Sequence, residues 1–422
     1  MKAITVILSQ RLHDQLVESL NAGEQVRVCG TLLEHVSGRV ATLTGLHSDQ
    51  EMERPVIASS ISGPDTPYTM HIRQDGSELA FMDNRTGEVC HLEFYDEAQD
   101  FFKRTPLNEE LQQELATERV AIVGVGSVGA QLALSLASAG VGSILLIDND
   151  VLEVHNCSRH VLGTAHIGWP KAKAVQAALK EQSPLTEVVA VDEDLFVAAG
   201  KEGCFESRQR LKQVISDYHP ARLIAATDSR RVQNLVQLLA LNFDLPYAAI
   251  GCDSNAIEGE IFFWGPGQAE AWKPGREQRA CYACLRPPGQ DQRRSAHFDY
   301  SEDDPDTAGG EPALGSFIDR ITLTGVMAML GWMLKGRDTG LGRDFHRHFE
   351  GLGLQYLRVG GPYPMPDSSQ LITASQPWAV EWKRVKKQEA CPFCSRDLQE
   401  LEPILFPPAI SQEESDGGFE SI

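Results

Sequence analysis

Gly124, Gly126 and Gly129 stand in the pattern G-x-G-x-x-G, after the apolar, β-branched run 120–123 and before a helical pattern over 128–139. At a strand-to-helix turn the first glycine permits the tight bend and the second lets a phosphate approach the backbone. The third allows the helix to pack close, with its N-terminal amides facing the anion. Asp148 closes the next apolar run, 143–147, where a carboxylate can bond ribose hydroxyls. These four residues indicate a nucleotide without saying which one, because a dehydrogenase would present the same set.

The segment that follows narrows the choice. Asp150, Asn156 and Arg159 lead to Lys171, and the last three residues could reach a triphosphate, arginine through a forked contact and lysine as a point charge. A dinucleotide has no terminal phosphate that needs so much positive charge. The plainer alternative makes Arg159 and Lys171 solvated surface residues. A further buried run, 222–226, ends in Thr227-Asp228, and ligands of open α/β sheets bind along that carboxyl edge. Asp228 is placed to hold magnesium, which keeps waters and bridges phosphates. It is equally placed to cap the helix that begins at Ser229.

Nine cysteines are present, four of them in two C-x-x-C pairs, Cys281/Cys284 and Cys391/Cys394. That spacing lets paired thiolates grip one tetrahedral ion, and two pairs favour structural zinc over a redox dithiol. A site closed by four thiolates has no open position for catalysis. Among the others, Cys204 and Cys252 are nucleophile candidates, each with the simpler reading of a buried cysteine.

Strands rich in β-branched residues alternate with helices from residue 119 onward: strands at 120–123, 143–147, 188–191, 222–226 and 247–250, helices at 128–139, 170–180, 208–216 and 229–241. The alternation predicts a Rossmann-like, doubly wound parallel sheet. Residues 1–104 read as a separate small α/β domain, 105–400 as the nucleotide domain with its zinc site, and 401–422 as an acidic tail, disordered from 411. The stretch 287–312 reads as a mobile loop, and the apolar run 321–334 as a buried helix too short and too interrupted for a membrane span. The opening run 1–8 ends too soon for a secretory signal, which with the cysteine pattern points to the cytoplasm. The net charge of -21 argues against a nucleic-acid grip.

Taken together, the glycine turn, the 148–159 segment, Lys171, Thr227-Asp228 with Arg231 and Asn234, and the paired C-x-x-C motifs resemble the ThiF/MoeB/HesA family, which shares its adenylation domain with the ubiquitin-activating enzymes. The resemblance runs from about residue 104 to 394. It implies ATP-dependent adenylation of the C-terminal carboxylate of a ubiquitin-like or sulfur-carrier protein, with pyrophosphate released. Asp148 would take the ribose, Asn156 and Arg159 the phosphates, Lys171 the phosphates during attack, and Asp228 the magnesium. It also implies a homodimer, with the helix near 322–334 helping to bury the interface.

Three features depart from the family pattern. Arg104 is the nearest candidate for an arginine that reaches a partner's ATP, but its surroundings differ. Residues 285–390 contain no cysteine, so either the chain stops at the adenylate or the nucleophile of a thioester lies elsewhere, with Cys204 and Cys252 as candidates. The first hundred residues are additional. Their strand–helix–strand opening looks similar to the JAB/MPN deubiquitinase fold, yet His47, His71 and His91 stand apart without the H-x-H of its catalytic zinc. An inactive, partner-binding relative of that fold is expected. This favours an activating enzyme of a bacterial ubiquitin-like conjugation system, antiviral ones included, with a conjugating enzyme downstream. Sulfur-carrier activation for thiamine or molybdopterin synthesis is the near alternative. An NAD-dependent oxidoreductase and a scaffold with a dead site are the distant ones.

Overall fold

The computed structural model describes residues 4–21, 27–35, 38–46, 56–59, 68–72, 79–83, 91–95, 100–105, 107–198, 201–252, 258–265, 280–285, 313–360, 378–389, 391–393, 396 and 398–407. The chain divides into two compact units, Met1–Pro106 and Leu107–Ile422.

The first unit opens with β1 (Ile4–Ser9) and α1 (Gln10–Asn21). Leu12 and Leu16, four residues apart and therefore on one helical face, are buried together with Val6 and Leu8 of the strand. The Ser9 hydroxyl accepts from Leu12 N–H at 3.1 Å and so starts the helix. There follow β2 (Arg27–His35), β3 (Gly38–Leu46), β4 (Val56–Ser59), β5 (Tyr68–Ile72), β6 (Leu79–Asp83) and β7 (His91–Tyr95). They form one sheet in the order β6-β5-β4-β2-β3-β1-β7. Strand β4, short and flanked by polar residues, carries no periodicity that sequence reading could use.

The second unit begins with α2 (Glu109–Thr117), capped by Asn108, whose side chain accepts from Leu111 N–H. Strand and helix then alternate: β8 (Arg119–Val123), α3 (Ser127–Ser138), β9 (Ser143–Ile147), α4 (Lys171–Gln182), β10 (Glu187–Val191), α5 (Cys204–Tyr218), β11 (Arg222–Ala225), α6 (Arg230–Asn242) and β12 (Tyr247–Cys252). Next come β13 (Glu258–Trp264), the single turn α7 (Tyr282–Leu285), α8 (Gly315–Met333), α9 (Gly340–Phe345), a π-helical turn (His346–Gly351), β14 (Tyr356–Gly360), β15 (Val380–Lys383) and α10 (Leu398–Leu405).

The eight strands form one sheet in the order β10-β9-β8-β11-β12-β13-β14-β15. Only the first five are parallel, because β12/β13, β13/β14 and β14/β15 pair antiparallel. The sheet is therefore mixed, which corrects the all-parallel expectation. The physical reason is that an antiparallel neighbour needs no crossover helix. The alternation of strand and helix that signals a parallel sheet thus stops at β12, and β13 to β15 escape it.

Both faces of the parallel half are covered. Side chains of successive residues go to opposite sides: Val120, Ile122, Ile144, Leu146, Ile224 and Ile250 join one core cluster, with α3, α4 and α8. Ala121, Val123, Leu145, Ile147, Leu223 and Ala249 join the other, with α5, α6 and the Cys281–Cys284 turn. Leu401 and Leu405 of α10 are also buried there, so the core reaches past residue 400. Helix α8 contains the expected apolar run, although Leu323 (46% exposed) and Met327 (57%) face outward one turn apart. Among the described residues no helix is long and apolar enough to cross a membrane. The loop expected at 287–312 and the tail expected from 411 lie outside the described residues.

Candidate functional site

In the order β10-β9-β8-β11-β12, the chain leaves β8 for neighbours on one side and later returns to add β11 on the other. The carboxyl ends of β8 and β11 therefore flank the switch point of the sheet, where a crevice opens. Gly124 to Gly129 follow β8, and Thr227-Asp228 follow β11. The two segments touch. Gly124 has φ +91°, a left-handed conformation costly for other residues, and a Cβ on it would lie 2.8 Å from the Ala226 carbonyl. A Cβ on Gly129 would lie 1.9 Å from Gly124 O, so the start of α3 packs directly on the turn. Gly126 is different: a Cβ there would meet nothing within 4 Å. Two glycines are demanded by protein packing, while the middle one opens onto free space.

The residue between them is fixed from both sides. Val125 N–H donates to Asp148 Oδ2 at 2.6 Å. The Val125 carbonyl accepts from His160 Nε2 at 3.0 Å, and Leu162 N–H donates to the same ring's Nδ1 at 3.2 Å. These partners require the tautomer protonated on Nε2. Burial lowers the His160 pKa, which favours that neutral ring. The other Asp148 oxygen accepts from Asp150 N–H at 2.8 Å. Burial raises the Asp148 pKa against the opposing pull of these amides and of Lys171. Asp150 in turn bonds the Lys171 ammonium at 2.8 Å, at the first residue of α4.

Of the residues singled out in the sequence, Gly124, Gly126, Gly129, Asp148, Asp150 and Lys171 thus form one connected group, with Asp228 exposed two residues beyond the Ala226 contact. Asn156 and Arg159 lie on the loop between β9 and α4. The Asn156 side-chain carbonyl accepts from Glu153 N–H in a capping box, which leaves its NH2 as the group available to a ligand. Arg159 sits against the N-terminus of α8, where a Cβ on Gly315 would stand 3.3 Å from Arg159 Cα. Arg231 donates to the Phe196 carbonyl at 2.8 Å and thus anchors a loop.

The cysteines divide. Cys281, Cys284 and Cys391 are buried with sulfurs within 4.8 Å of one another. Cys281 Sγ lies 3.8 Å from Cys284 Sγ and 3.5 Å from Cys391 Sγ. Thiolates at about 2.3 Å from a tetrahedral zinc would be about 3.8 Å apart, so the three sulfurs fit three corners of such a site. Gln388 N–H donates to Cys284 Sγ at 3.4 Å, as amides do to metal-bound thiolates. Cys394 lies outside the described residues. Cys204 is buried at the start of α5, its thiol donating to the Val197 carbonyl at 3.6 Å. Cys252 is the last residue of β12, at the carboxyl edge, and packs against the core.

Sequence reading missed three residues. His160 carries no spacing signal beyond following Arg159. Gln233, and Tyr282 between two of the cysteines, are the other two; Gln233 could have been noticed because it and Gln237 interrupt the apolar face of α6.

A parallel half-sheet with a glycine turn at its switch point, acidic strand ends and a nearby lysine defines a nucleotide-binding α/β domain. The chain belongs to the ThiF family, whose model matches residues 102–329. It is similar to the E. coli (strain K12) sulfur carrier protein ThiS adenylyltransferase, 29% identical over 185 residues, covering 44% of this chain and 64% of that protein. It is also similar to the mouse (Mus musculus) adenylyltransferase and sulfurtransferase MOCS3, 45% identical over 80 residues, covering 19% of this chain and 17% of the relative. Ubiquitin-like modifier-activating enzyme 5 of Bombyx mori is 23% identical over 175 residues, 42% of each chain. The chain thus spans less than two thirds of the length of these curated relatives. Among solved structures, E. coli MccB with AMPCPP and MccA superposes with a TM-score of 0.47 at 15% identity, covering 68% of this chain and 69% of that one.

Proposed function

We propose that this chain uses ATP to adenylate the C-terminal carboxylate of a ubiquitin-like or sulfur-carrier protein. The observation that carries the reading is the connected set Val125–Asp148–Asp150–Lys171 at the switch point, with Asp228 next to the Ala226–Thr227 backbone on which Gly124 packs. It is supported by the names of the relatives, which are adenylyltransferases and a modifier-activating enzyme.

In this reading the turn amides and the start of α3 receive the phosphates above Gly126, and Asp148 takes the ribose. Arg159, Lys171 and the Asn156 amide meet the phosphate chain. Asp228 would hold magnesium, which supplies charge neutralisation on the phosphates. The substrate carboxylate oxygen attacks the α-phosphorus. The bond to the bridging oxygen of the β-phosphate breaks, and pyrophosphate leaves with that electron pair. The acyl adenylate remains. Lys171 and Arg159 offset the charge that develops on the non-bridging and leaving oxygens, so no protein nucleophile or proton transfer is required. The three-cysteine cluster, completed by Cys394, would hold zinc as a structural clasp between distant parts of the chain.

Exposed Leu323 and Met327 on α8 support a homodimer through that helix. The first unit would recruit a partner, as an inactive JAB/MPN-like domain. Sulfur-carrier activation is the second reading, favoured by the E. coli relative that acts on ThiS; a bacterial conjugation system with a downstream conjugating enzyme is the first.

Exchange of labelled pyrophosphate into ATP, measured with candidate small proteins ending in glycine, tests the activity. Exchange that depends on such a protein and disappears in Asp228→Ala is expected. Binding of NAD in preference to ATP would overturn the proposal. A reducible adduct lost in Cys204→Ala or Cys252→Ala would add a thioester step and favour conjugation over sulfur-carrier activation.

A further inference from the structure

Helix α6 is capped by Ser229, the residue after Asp228, and two of its residues are glutamines where the surrounding face is apolar. Gln233 (3% exposed) and Gln237 (4%) are one turn apart, among Val232, Leu235, Val236 and Leu239. Buried amides are costly unless every group finds a partner. Gln233 meets that requirement in a particular direction. Its Nε2 donates to the Thr227 carbonyl at 2.8 Å, and its Oε1 accepts from the Tyr282 hydroxyl at 2.5 Å. The reverse amide orientation would set its oxygen against a carbonyl, so the two neighbours fix it. The Tyr247 hydroxyl donates to the Gln233 carbonyl at 2.9 Å and holds the same residue from the sheet side.

Tyr282 is likewise held. It is 1% exposed and lies between Cys281 and Cys284. Its N–H donates to Gln237 Oε1 at 2.9 Å, and its hydroxyl also lies 2.8 Å from Glu260 Oε1. Side chains and backbone therefore form an unbroken path from the cysteine turn, through Tyr282 and Gln233, to the carbonyl of Thr227. The next residue is Asp228. The Thr227 hydroxyl accepts from Ser229 N–H at 3.2 Å, so the peptide on each side of Asp228 is tied down while its carboxylate remains exposed.

We propose that Tyr282 and Gln233 are positioning residues: a buried hydrogen-bonded strut, footed on the cysteine turn, that aims Asp228 at the magnesium of the bound nucleotide. The inference rests on the reading of Asp228 as the magnesium residue. A hydrophobic core would hold α6 in place without a polar strut. What the strut adds is a fixed orientation of the Thr227–Asp228 peptide, because a carbonyl bonded on one lone pair cannot rotate freely. An exposed aspartate on a strand end would otherwise sample several directions, and magnesium demands near-ideal octahedral placement of its ligands.

The test uses the full chain and a fluorescent ATP analogue, with binding followed as magnesium is titrated and the thermal midpoint recorded in parallel. Tyr282→Phe keeps the ring and removes only the hydroxyl. It is expected to raise the magnesium concentration for half-maximal binding about tenfold, the equivalent of one hydrogen bond. Binding measured without magnesium should not change. Gln233→Met, which keeps length but not the amide, should shift the titration in the same direction, and it serves if Tyr282→Phe does not fold. A lowered thermal midpoint with an unshifted magnesium titration would mean a purely structural network and overturn the proposal. Asp228→Ala separates the two layers. If it leaves the magnesium titration unchanged, the magnesium reading itself fails and takes the strut's purpose with it. If it shifts the titration while Tyr282→Phe does not, the strut alone fails. In the Asp228→Ala background, Tyr282→Phe should add no further shift, since both act through one carboxylate.

Discussion

Lys171 Nζ lies 2.8 Å from Asp150 Oδ2, and the lysine side chain is only 12% exposed while the aspartate is 65% exposed. A lysine at the first residue of a helix opposes the positive end of the helix dipole. Asp150 offsets that repulsion and holds the ammonium in place. A bound phosphate would compete for the same ammonium. Lys171→Ala is accordingly expected to lower pyrophosphate exchange about 100-fold, the scale of losing one preorganised charge donor. Affinity for the nucleotide should fall much less. Steady-state exchange rates beside direct ATP binding would show this split, and equal losses in both would assign Lys171 to ground-state binding instead.

The three glycines of the turn should behave as two kinds. In Gly129→Ala the new Cβ would need to stand 1.9 Å from Gly124 O, so helix α3 must move off the turn. A loss of stability and of nucleotide binding together is expected. Gly126→Ala meets no protein atom within 4 Å. Its thermal midpoint should stay close to that of the parent chain, while ATP affinity drops at least about tenfold because the methyl occupies the space left for phosphate. A Gly126→Ala chain that binds ATP normally would remove the phosphate from that position.

His160 gives the site a dependence on pH. Its folded pKa lies below the ordinary 6.5, because burial disfavours the charged ring and, with the nearby Lys171 and His166, outweighs the hydrogen bond to the Val125 carbonyl. The unfolded chain therefore takes up a proton at higher pH than the folded one. The stabilisation is complete above about 6.5 and is lost as pH falls from there through the folded value. Thermal midpoints of the parent and of His160→Gln, recorded at about pH 8 and about pH 5.5, should differ in slope. The parent should lose more on acidification, and a parallel pair of curves would show that His160 does not titrate in that range.

The parallel half of the sheet and its glycine turn were legible because their signals are local. A run of four apolar residues followed by a glycine pattern and a helix identifies itself, as at β8 and α3. The antiparallel half was not, because an antiparallel neighbour needs no regular strand–helix alternation, and pairing between Glu258 and Gly360 is set by packing across about a hundred positions. Asp148, Asp150 and Lys171 could be named from spacing, but the part played by Val125 could not. Any residue can occupy that position, since only its backbone groups are used. His160 and Tyr282 were hidden for the opposite reason: their roles depend on partners 35 and 49 residues away.

The cysteine cluster yields the most direct prediction. Cys281, Cys284 and Cys391 bring their sulfurs within 4.8 Å inside the second core cluster, where neutral thiols would hold one another only by weak hydrogen bonds. Spacings of 3.5 and 3.8 Å exceed a disulfide bond and match the edges of a thiolate tetrahedron. The purified chain should carry one zinc, measured by elemental analysis. Its removal by a strong chelator should lower the thermal midpoint by at least about 5 °C, since structural zinc stabilises a fold by several kcal/mol. Cys391→Ser should match the chelated parent and lose the response to chelator. Cys204→Ser should keep both the metal and the response, because the Cys204 thiol bonds a backbone carbonyl elsewhere in the core. Pyrophosphate exchange should survive at low temperature in the chelated protein, as expected of a clasp without an open coordination position. Loss of exchange on chelation that excess magnesium does not restore, with folding intact, would show that the metal does more than clasp the scaffold.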